Sequence, residues 1–202
     1  MIKRSSKNQV EKILEKNNWL VLDIGCGYTA NKYANVICDT QDLKNFYKDK
    51  NFVQLNDKKL PFKDNEFDFI IASHVLEHVK DPIFFLNEIQ RVSSKGGYIE
   101  VPTKLEDNLV FENKKDHLWH LDFDDDENKL LISKKENYIE PILTVSTIKK
   151  FQKYFRKSLV IELYWEGEIN YSLNKDSTND LEKISRLTLL RKFISKKIRS
   201  IF

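Results

Sequence analysis

The strongest constraint on the fold lies between Val21 and Asp39, VLDIGCGYTANKYANVICD. Two apolar runs, WLVLDIG (Trp19 to Gly25) and ANVICD (Ala34 to Asp39), are separated by a glycine turn, with eight residues between Gly27 and Val36. Unbroken apolar runs of this length read as strands buried on both faces, the pattern of a parallel sheet. A parallel neighbour is normally reached through a crossover helix, which with its loops takes a dozen or so residues. Here the crossover must shrink to a bare turn.

The rest of the chain fits the same frame. Residues 5–17 read as a polar helix, FVQL (Phe52 to Leu55) as a third strand and FDFIIAS (Phe67 to Ser73) as a fourth, with Pro61 and Asp64-Asn65 marking turns. Asp81 supplies an N-cap and Pro82 the first helical position, followed by the stripe Ile83, Phe84, Leu86, Ile89 and Val92. Gly96-Gly97 is expected to end that helix, and YIEVP (Tyr98 to Pro102) to be a fifth strand. Beyond it HLWHLDF and KLLISKK flank the acidic turn DDDEN as a hairpin. A helix over 144–156 presents Val145, Ile148, Phe151 and Phe155, and LVIELYW and INYSL, joined by Glu166-Gly167-Glu168, are expected to pair as a second hairpin. From about Asp180 the tail reads as a basic amphipathic helix. The expected fold is α/β: a doubly wound, mostly parallel Rossmann-like sheet with an inserted β-hairpin and a C-terminal amphipathic helix. No linker divides residues 1–202, so one domain is expected, with a core at 18–103, a hairpin insertion at 104–142, a helix and terminal strands at 143–176 and the tail at 177–202.

Charge placement narrows the partners. The net charge is +3, yet residues 183–202 carry seven cations and no acid, leaving −4 on residues 1–182. A basic tail on a mildly acidic body is unlike a nucleic-acid binder, whose cations cluster on a folded face. Ile184, Leu187, Leu190, Ile194, Ile198 and Ile201 face those cations, which suits peripheral contact with an anionic membrane surface. A helix docked on the sheet and a dimer contact are the other readings of the same pattern. Cys26 and Cys38, without a CxxC, suggest a reducing compartment, and the cytoplasm or its inner membrane face is the expected location. No apolar run approaches the length of a bilayer span.

In a doubly wound sheet, ligands bind beyond the carboxyl ends of the strands, near the point where strand order reverses. Gly25 and Gly27 occupy such a place, and glycines there let backbone N–H groups approach a ligand closely. Further elements fall in order: Asp23-Ile24-Gly25-Cys26-Gly27, Asp39 after the second strand, Asn56-Asp57 after the third, LPFKDNEFDFI, SHVLEHVKDP and GGYIEVP. This series, from about Leu20 to Thr103, resembles the class I S-adenosylmethionine-dependent methyltransferases, most of all the bacterial branch that modifies small molecules and glycans. The resemblance implies S-adenosyl-L-methionine as cofactor, held by Asp23, Gly25, Cys26, Gly27, Asp39, Asn56, Asp57 and Ser73. It gives Asp39 the ribose hydroxyls, for which a carboxylate is a suitable bidentate acceptor. It places Asp57 near the adenine, although Asn56 holds the position where such families commonly carry the acid, so either residue makes that contact.

GCGYTA also fits the dinucleotide fingerprint formally, with Ala30 last. That motif needs a helix N-terminus for the pyrophosphate and an acid about twenty residues on, whereas Asp39 follows Ala30 by nine. A nicotinamide oxidoreductase is therefore the weaker reading. A non-catalytic binding or scaffold protein of the same fold is the other alternative.

On the acceptor side, methyl transfer needs positioning, with a general base where the acceptor carries a proton. His74, at the end of the fourth strand, and His78 are the candidates. His117 and His120 form HxxH, but three-residue spacing on a strand points them to opposite faces, so no metal is expected. His117, Trp119 and His120 are read instead as a wall for a small-molecule or saccharide acceptor, soluble or lipid-linked.

Overall fold

The computed structural model describes residues 1–174 and 183–199. In chain order the elements are β1 (Ile2–Arg4), α1 (Lys7–Lys16), β2 (Val21–Ile24), β3 (Val36–Asp39), β4 (Asn51–Gln54), β5 (Phe67–Ser73), α2 (Pro82–Val92) and β6 (Ser93–Pro102). They continue with α3 (Lys104–Leu109), α4 (Asn113–Asp116), β7 (Trp119–Asp124), β8 (Lys129–Lys134), α5 (Val145–Leu159), β9 (Val160–Glu166), β10 (Tyr171–Asn174) and α6 (Arg186–Arg199). The main sheet has seven strands in the order β1-β9-β6-β5-β2-β3-β4. Strands β2 to β6 run parallel, and β9 lies antiparallel to both β6 and β1. Strand order reverses between β2 and β5, which places the switch point there. This is the doubly wound α/β sheet expected from the sequence.

Each face is covered for a readable reason. Asp81 accepts a hydrogen bond from the Phe84 N–H and Pro82 opens α2, whose Phe85, Leu86, Ile89 and Val92 enter the main core. On the other face Val10 and Leu14 of α1 pack on Val21, Phe69, Ile71, Tyr98 and Tyr164. Ser6 caps α1 by accepting from the Gln9 N–H. The Leu-Pro-Phe loop before β5 is pinned to α2: Glu88 accepts the Leu60 N–H, and Arg91 donates to the carbonyls of Leu60 and Phe62.

Two sequence expectations are corrected. Gly96-Gly97 does not end α2, which stops at Val92; both glycines lie inside β6. A Cβ at Gly96 would overlap the Trp165 carbonyl, and one at Gly97 would stand 2.8 Å from the Trp165 indole nitrogen, so the pair lets β9 close on β6. LVIELYW and INYSL do not pair with each other. β9 enters the main sheet, whereas β10 crosses to a second sheet of order β10-β8-β7 and runs parallel to β8. Of the four apolar residues read on one face of α5, Ile148 is buried, and Phe151 and Phe155 are exposed.

The insertion does form the expected hairpin, β7 with β8 from Trp119↔Lys134 to Asp124↔Lys129. Its Leu121, Phe123, Leu130 and Ile132 join the core that α2 shares with the main sheet. The tail helix α6 has no buried residue, and its start is tied by an Ile139↔Ile184 bridge and an Arg186–Glu140 ion pair. Residues 175–182 and Ile201 lie outside the described residues.

Candidate active site at the switch point

At the carboxyl end of β2 the chain turns through Gly25 (φ 68°) and Gly27 (φ 45°). A Cβ at Gly25 would overlap Val75 Cγ2, which follows β5, so this glycine lets the two halves of the switch point meet. A Cβ at Gly27 would meet nothing within 4 Å, and the turn is open on that side. The carboxylate of Asp39, buried at 7% exposure at the end of β3, accepts hydrogen bonds from the Gly27 and Gln41 N–H groups. A carboxylate has about four acceptor positions, so both oxygens keep capacity for a ligand hydroxyl.

The link from Cys26 to Asn35 holds no helix, and its backbone groups are satisfied from elsewhere, as a helix-free segment requires. The Gly25 and Cys26 N–H groups both donate to the Cys38 carbonyl. Asn35 bonds Val21 through both its backbone N–H and its side-chain oxygen. Asp23 accepts the Asn31 N–H at 2.7 Å. The Tyr47 hydroxyl accepts the Ala30 N–H and donates to the Gly27 carbonyl. With Leu43, Tyr47 also packs on Cys26 and Ile37, covering the face where a crossover helix would lie. Nothing local in the sequence marks Tyr47 for this role.

Burial pushes the Asp23 carboxyl up to about 6, against the hydrogen bond from Asn31 and the charges of Lys50 and Lys7, which act to lower it. Burial likewise raises the thiol of Cys26 to about 12 and that of Cys38 well above its ordinary value, so both stay protonated. Asn56 and Asp57 follow β4 and are exposed, and Ser73, half-buried, closes β5. The turn, Asp39 and the open space at Gly27 suit a ligand that presents hydroxyls and a cationic amino-acid part, and no helix opens after Gly27 to receive a pyrophosphate.

Beyond β5 the backbone turns at His74 in the left-handed region (φ 56°). The side chain, 42% exposed, is clamped: Nδ1 lies 3.2 Å from Glu77 Oε1 and Nε2 3.3 Å from Glu100 Oε1. Partial burial acts to lower its pKa, but the hydrogen bonds to Glu100 and Glu77 outweigh it and raise the group to about 10. The two carboxylates hold the ring in place and favour its charged form. Glu100 is held down at about 2: burial acts to raise it, and His74, Tyr98 and Arg156 overcome that. His78 is exposed and its Nδ1 meets the Asp116 carbonyl at 3.0 Å.

The HxxH pair behaves differently from the expectation. His117 precedes β7 instead of lying on it, so the two imidazoles are not separated by a strand. Both converge on buried Asp107, with His117 Nδ1 at 2.6 Å from Oδ1 and His120 Nδ1 at 3.0 Å from Oδ2. Lys135 joins them at 2.9 Å. Burial acts to raise Asp107, and bonds from His117, His120 and Lys135 hold it well below the usual carboxylate range. His120 Nε2 meets the Glu136 carbonyl, while its Nδ1 faces Asp107. Trp119, half-buried, donates from Nε1 to the Val79 carbonyl, and the Leu118 N–H donates to the Glu77 carbonyl. The insertion is thus sewn to residues 77–79, directly after β5. Asp107 was legible only indirectly: Thr103 and Glu106 form a capping signature that announces α3.

Residues 22–101 match the family described as a methyltransferase domain. Over 116 residues the chain is 36% identical to an uncharacterized protein of Methanocaldococcus jannaschii (MJ0638), covering 51% of this chain and 48% of that one. Over 41 residues it is 49% identical to an uncharacterized methyltransferase of Schizosaccharomyces pombe, covering 20% of this chain and 15% of that protein. The chain thus spans about half the length of the archaeal relative and less of the yeast one. Among solved structures it is similar to a SAM-dependent methyltransferase from Aquifex aeolicus, at 15% identity and a TM-score of 0.41, covering 78% of this chain and 89% of the other. The family match starts in β2 and ends in β6, enclosing the glycine turn, Asp39 and the switch point. Residues 22–101 thus match a methyltransferase domain and lie on a doubly wound, Rossmann-like sheet.

Proposed function

We propose that the protein transfers the methyl group of S-adenosylmethionine to a small polar acceptor, a saccharide or similar metabolite, as the bacterial small-molecule and glycan-modifying enzymes do. The observation that carries the cofactor half is the Asp39 carboxylate bound to the Gly27 N–H at the switch point, within the matched domain. Gly25, Cys26 and Gly27 cradle the amino-acid part, Asp39 takes the ribose hydroxyls, Asn56 or Asp57 reaches the adenine, and Asp23 and Ser73 line the floor. The bound cofactor supplies an electrophilic methyl group; the chain's own task is to orient the acceptor and exclude water. Support for the acceptor side comes from the insertion, whose residues 116–119 are bonded to residues 77–79 beside the turn. Trp119 then contributes an aromatic face, and His117 and His120 hold that wall through Asp107 in place of touching the acceptor.

Calorimetry with S-adenosylmethionine, S-adenosylhomocysteine and NAD on the wild-type chain tests the cofactor. Binding of the two sulfur compounds and not of NAD is expected, and binding of NAD alone refutes the reading. Binding without methyl transfer to any fraction of a source-cell extract would instead support a non-catalytic scaffold. Radiolabel recovered in glycan, glycolipid or small metabolite supports the acceptor class; label in protein or nucleic acid refutes it.

A lipid-linked acceptor is favoured by α6. It exposes Leu187, Leu190, Phe193, Ile194 and Ile198 beside Arg191, Lys192, Lys196, Lys197 and Arg199, with no residue buried. Such a helix suits an anionic membrane surface. No helix among the described residues is long and apolar enough to cross a membrane. Flotation with anionic liposomes of the full chain, compared with a chain ending at Asp180, tests the contact; equal flotation removes it.

A further inference from the structure

We infer that Glu77, His78 and His117 form a binding site for a divalent transition-metal ion of the zinc type. The three side chains each bring a ligand atom within 4.8 Å of the other two. Roughly 2.1 Å separates such an ion from nitrogen or oxygen ligands, which then stand roughly 3.4 Å apart in a tetrahedral shell. The triad therefore closes on an ion with about an ångström of side-chain movement.

What lifts this cluster above chance proximity is the state of each ligand. Glu77 is fully buried, its Oε1 bonded to His74, while its buried Oε2 has no hydrogen-bond partner. A lone buried carboxylate oxygen is costly and calls for a cation or a donor. His78 has Nδ1 turned to the Asp116 carbonyl at 3.0 Å, and His117 Nδ1 lies 2.6 Å from an Asp107 oxygen without an aligned hydrogen bond to it. A proton on Nδ1 leaves the Nε2 lone pair as the ligand, and carboxylate or carbonyl partners of this kind are what orient metal-binding imidazoles. The rings stand edge to face with centroids 4.5 Å apart. Glu77 and His78 follow β5, and His117 is brought to them by the Leu118 N–H bond to the Glu77 carbonyl. The expectation of no metal assumed His117 and His120 as the pair and a strand under both. The structure instead pairs His117 with His78, 39 residues earlier in sequence, and leaves His120 to Asp107.

Two nitrogens and one oxygen suit zinc, cobalt or nickel better than magnesium or calcium, and three protein ligands leave coordination positions open. The site stands on these contacts alone and is independent of whether the chain transfers methyl groups.

The test uses the full chain, freed of any affinity tag and stripped of metal, titrated with zinc chloride and with cobalt chloride. One ion per chain is expected, with cobalt giving visible d–d bands. His78→Ala, at an exposed position, is expected to weaken zinc binding about 100-fold or more with an unchanged circular dichroism spectrum, and Glu77→Gln to do the same. X-ray absorption of the zinc-loaded wild-type chain is expected to show two imidazoles and no sulfur in the first shell. No saturable binding, equal affinity in His78→Ala, or a shell with sulfur or without imidazole overturns the site.

Discussion

The two sides of the switch point are built by different means. On the cofactor side, the turn after β2 is made of backbone groups held by Asp23, Asp39, Asn35 and Tyr47, and its ligand-facing parts come from consecutive stretches of sequence. On the insertion side, Asp107, His117, His120 and Lys135 meet from three separate segments around one buried charge. The first arrangement can lose a side chain and keep its shape. The second depends on every member, because a buried charge without its partner is strongly unfavourable.

The largest effect should therefore fall on the insertion side and on stability. Asp107→Ala strands Lys135 and both imidazoles in a buried setting, and is expected to cost about 3 to 5 kcal/mol in denaturant unfolding. S-adenosylmethionine affinity of the fraction still folded should be unchanged. A matching loss of affinity would break the separation between the two sides.

Asp39→Ala should act the other way round. Loss of charge-assisted hydrogen bonds to the cofactor is worth about 3 kcal/mol, or roughly 100-fold in affinity by calorimetry. Its structural loss is limited to the Gly27 and Gln41 N–H partners, both partly solvated. An affinity within threefold of wild type would remove Asp39 from the site.

Tyr47→Phe sharpens the comparison, because Tyr47 replaces the missing crossover helix by reaching back across the turn. The hydroxyl makes two hydrogen bonds to the turn, so about 2 kcal/mol of stability is expected to go in thermal unfolding, with a smaller loss of cofactor affinity. A variant as stable as wild type would mean that ring packing on Cys26 and Leu43 alone holds the link.

How much of this was legible in the sequence follows from the range over which each feature is encoded. The parallel core, α2 with its Asp81 cap and the β7–β8 hairpin rest on local periodicity and local turn chemistry, and they appear where the sequence places them. β9 and β10 were misread because Glu166-Gly167-Glu168 looks like a hairpin turn, yet pairing partners are a non-local choice. A clue was present: VIELYW is buried on both faces, which demands a central place, while the alternating YSLN suits a sheet edge. Within the site, the glycine turn and Asp39 could be read from order and spacing. Tyr47, Asp107 and Lys135 could not, since their partners lie between 10 and 28 positions away in sequence and no motif links them. The pairing of His78 with His117 is hidden for the same reason.

The smallest expected effect is a pH dependence on the cofactor side. Asp23 has a carboxyl raised from 3.8 to about 6, chiefly by burial, with Lys50, Lys7 and Asp39 as the charges that act on it. Between these values the folded chain holds a proton that the unfolded chain has released, so stability falls as pH rises through this window and stays lower above pH 6. A cationic ligand beside the ionised carboxylate offsets that cost, and binding should therefore be favoured where Asp23 is ionised. From pH 7.5 down to pH 5 the affinity for S-adenosylmethionine is expected to fall about tenfold, equivalent to about 1.4 kcal/mol, as Asp23 takes up its proton. Asp23→Asn keeps an acceptor for the Asn31 N–H and has no charge to lose, so its affinity should be lower at pH 7.5 and nearly flat to pH 5. A slope as steep in Asp23→Asn as in wild type would assign the titration elsewhere and leave Asp23 as a purely structural brace of the helix-free turn.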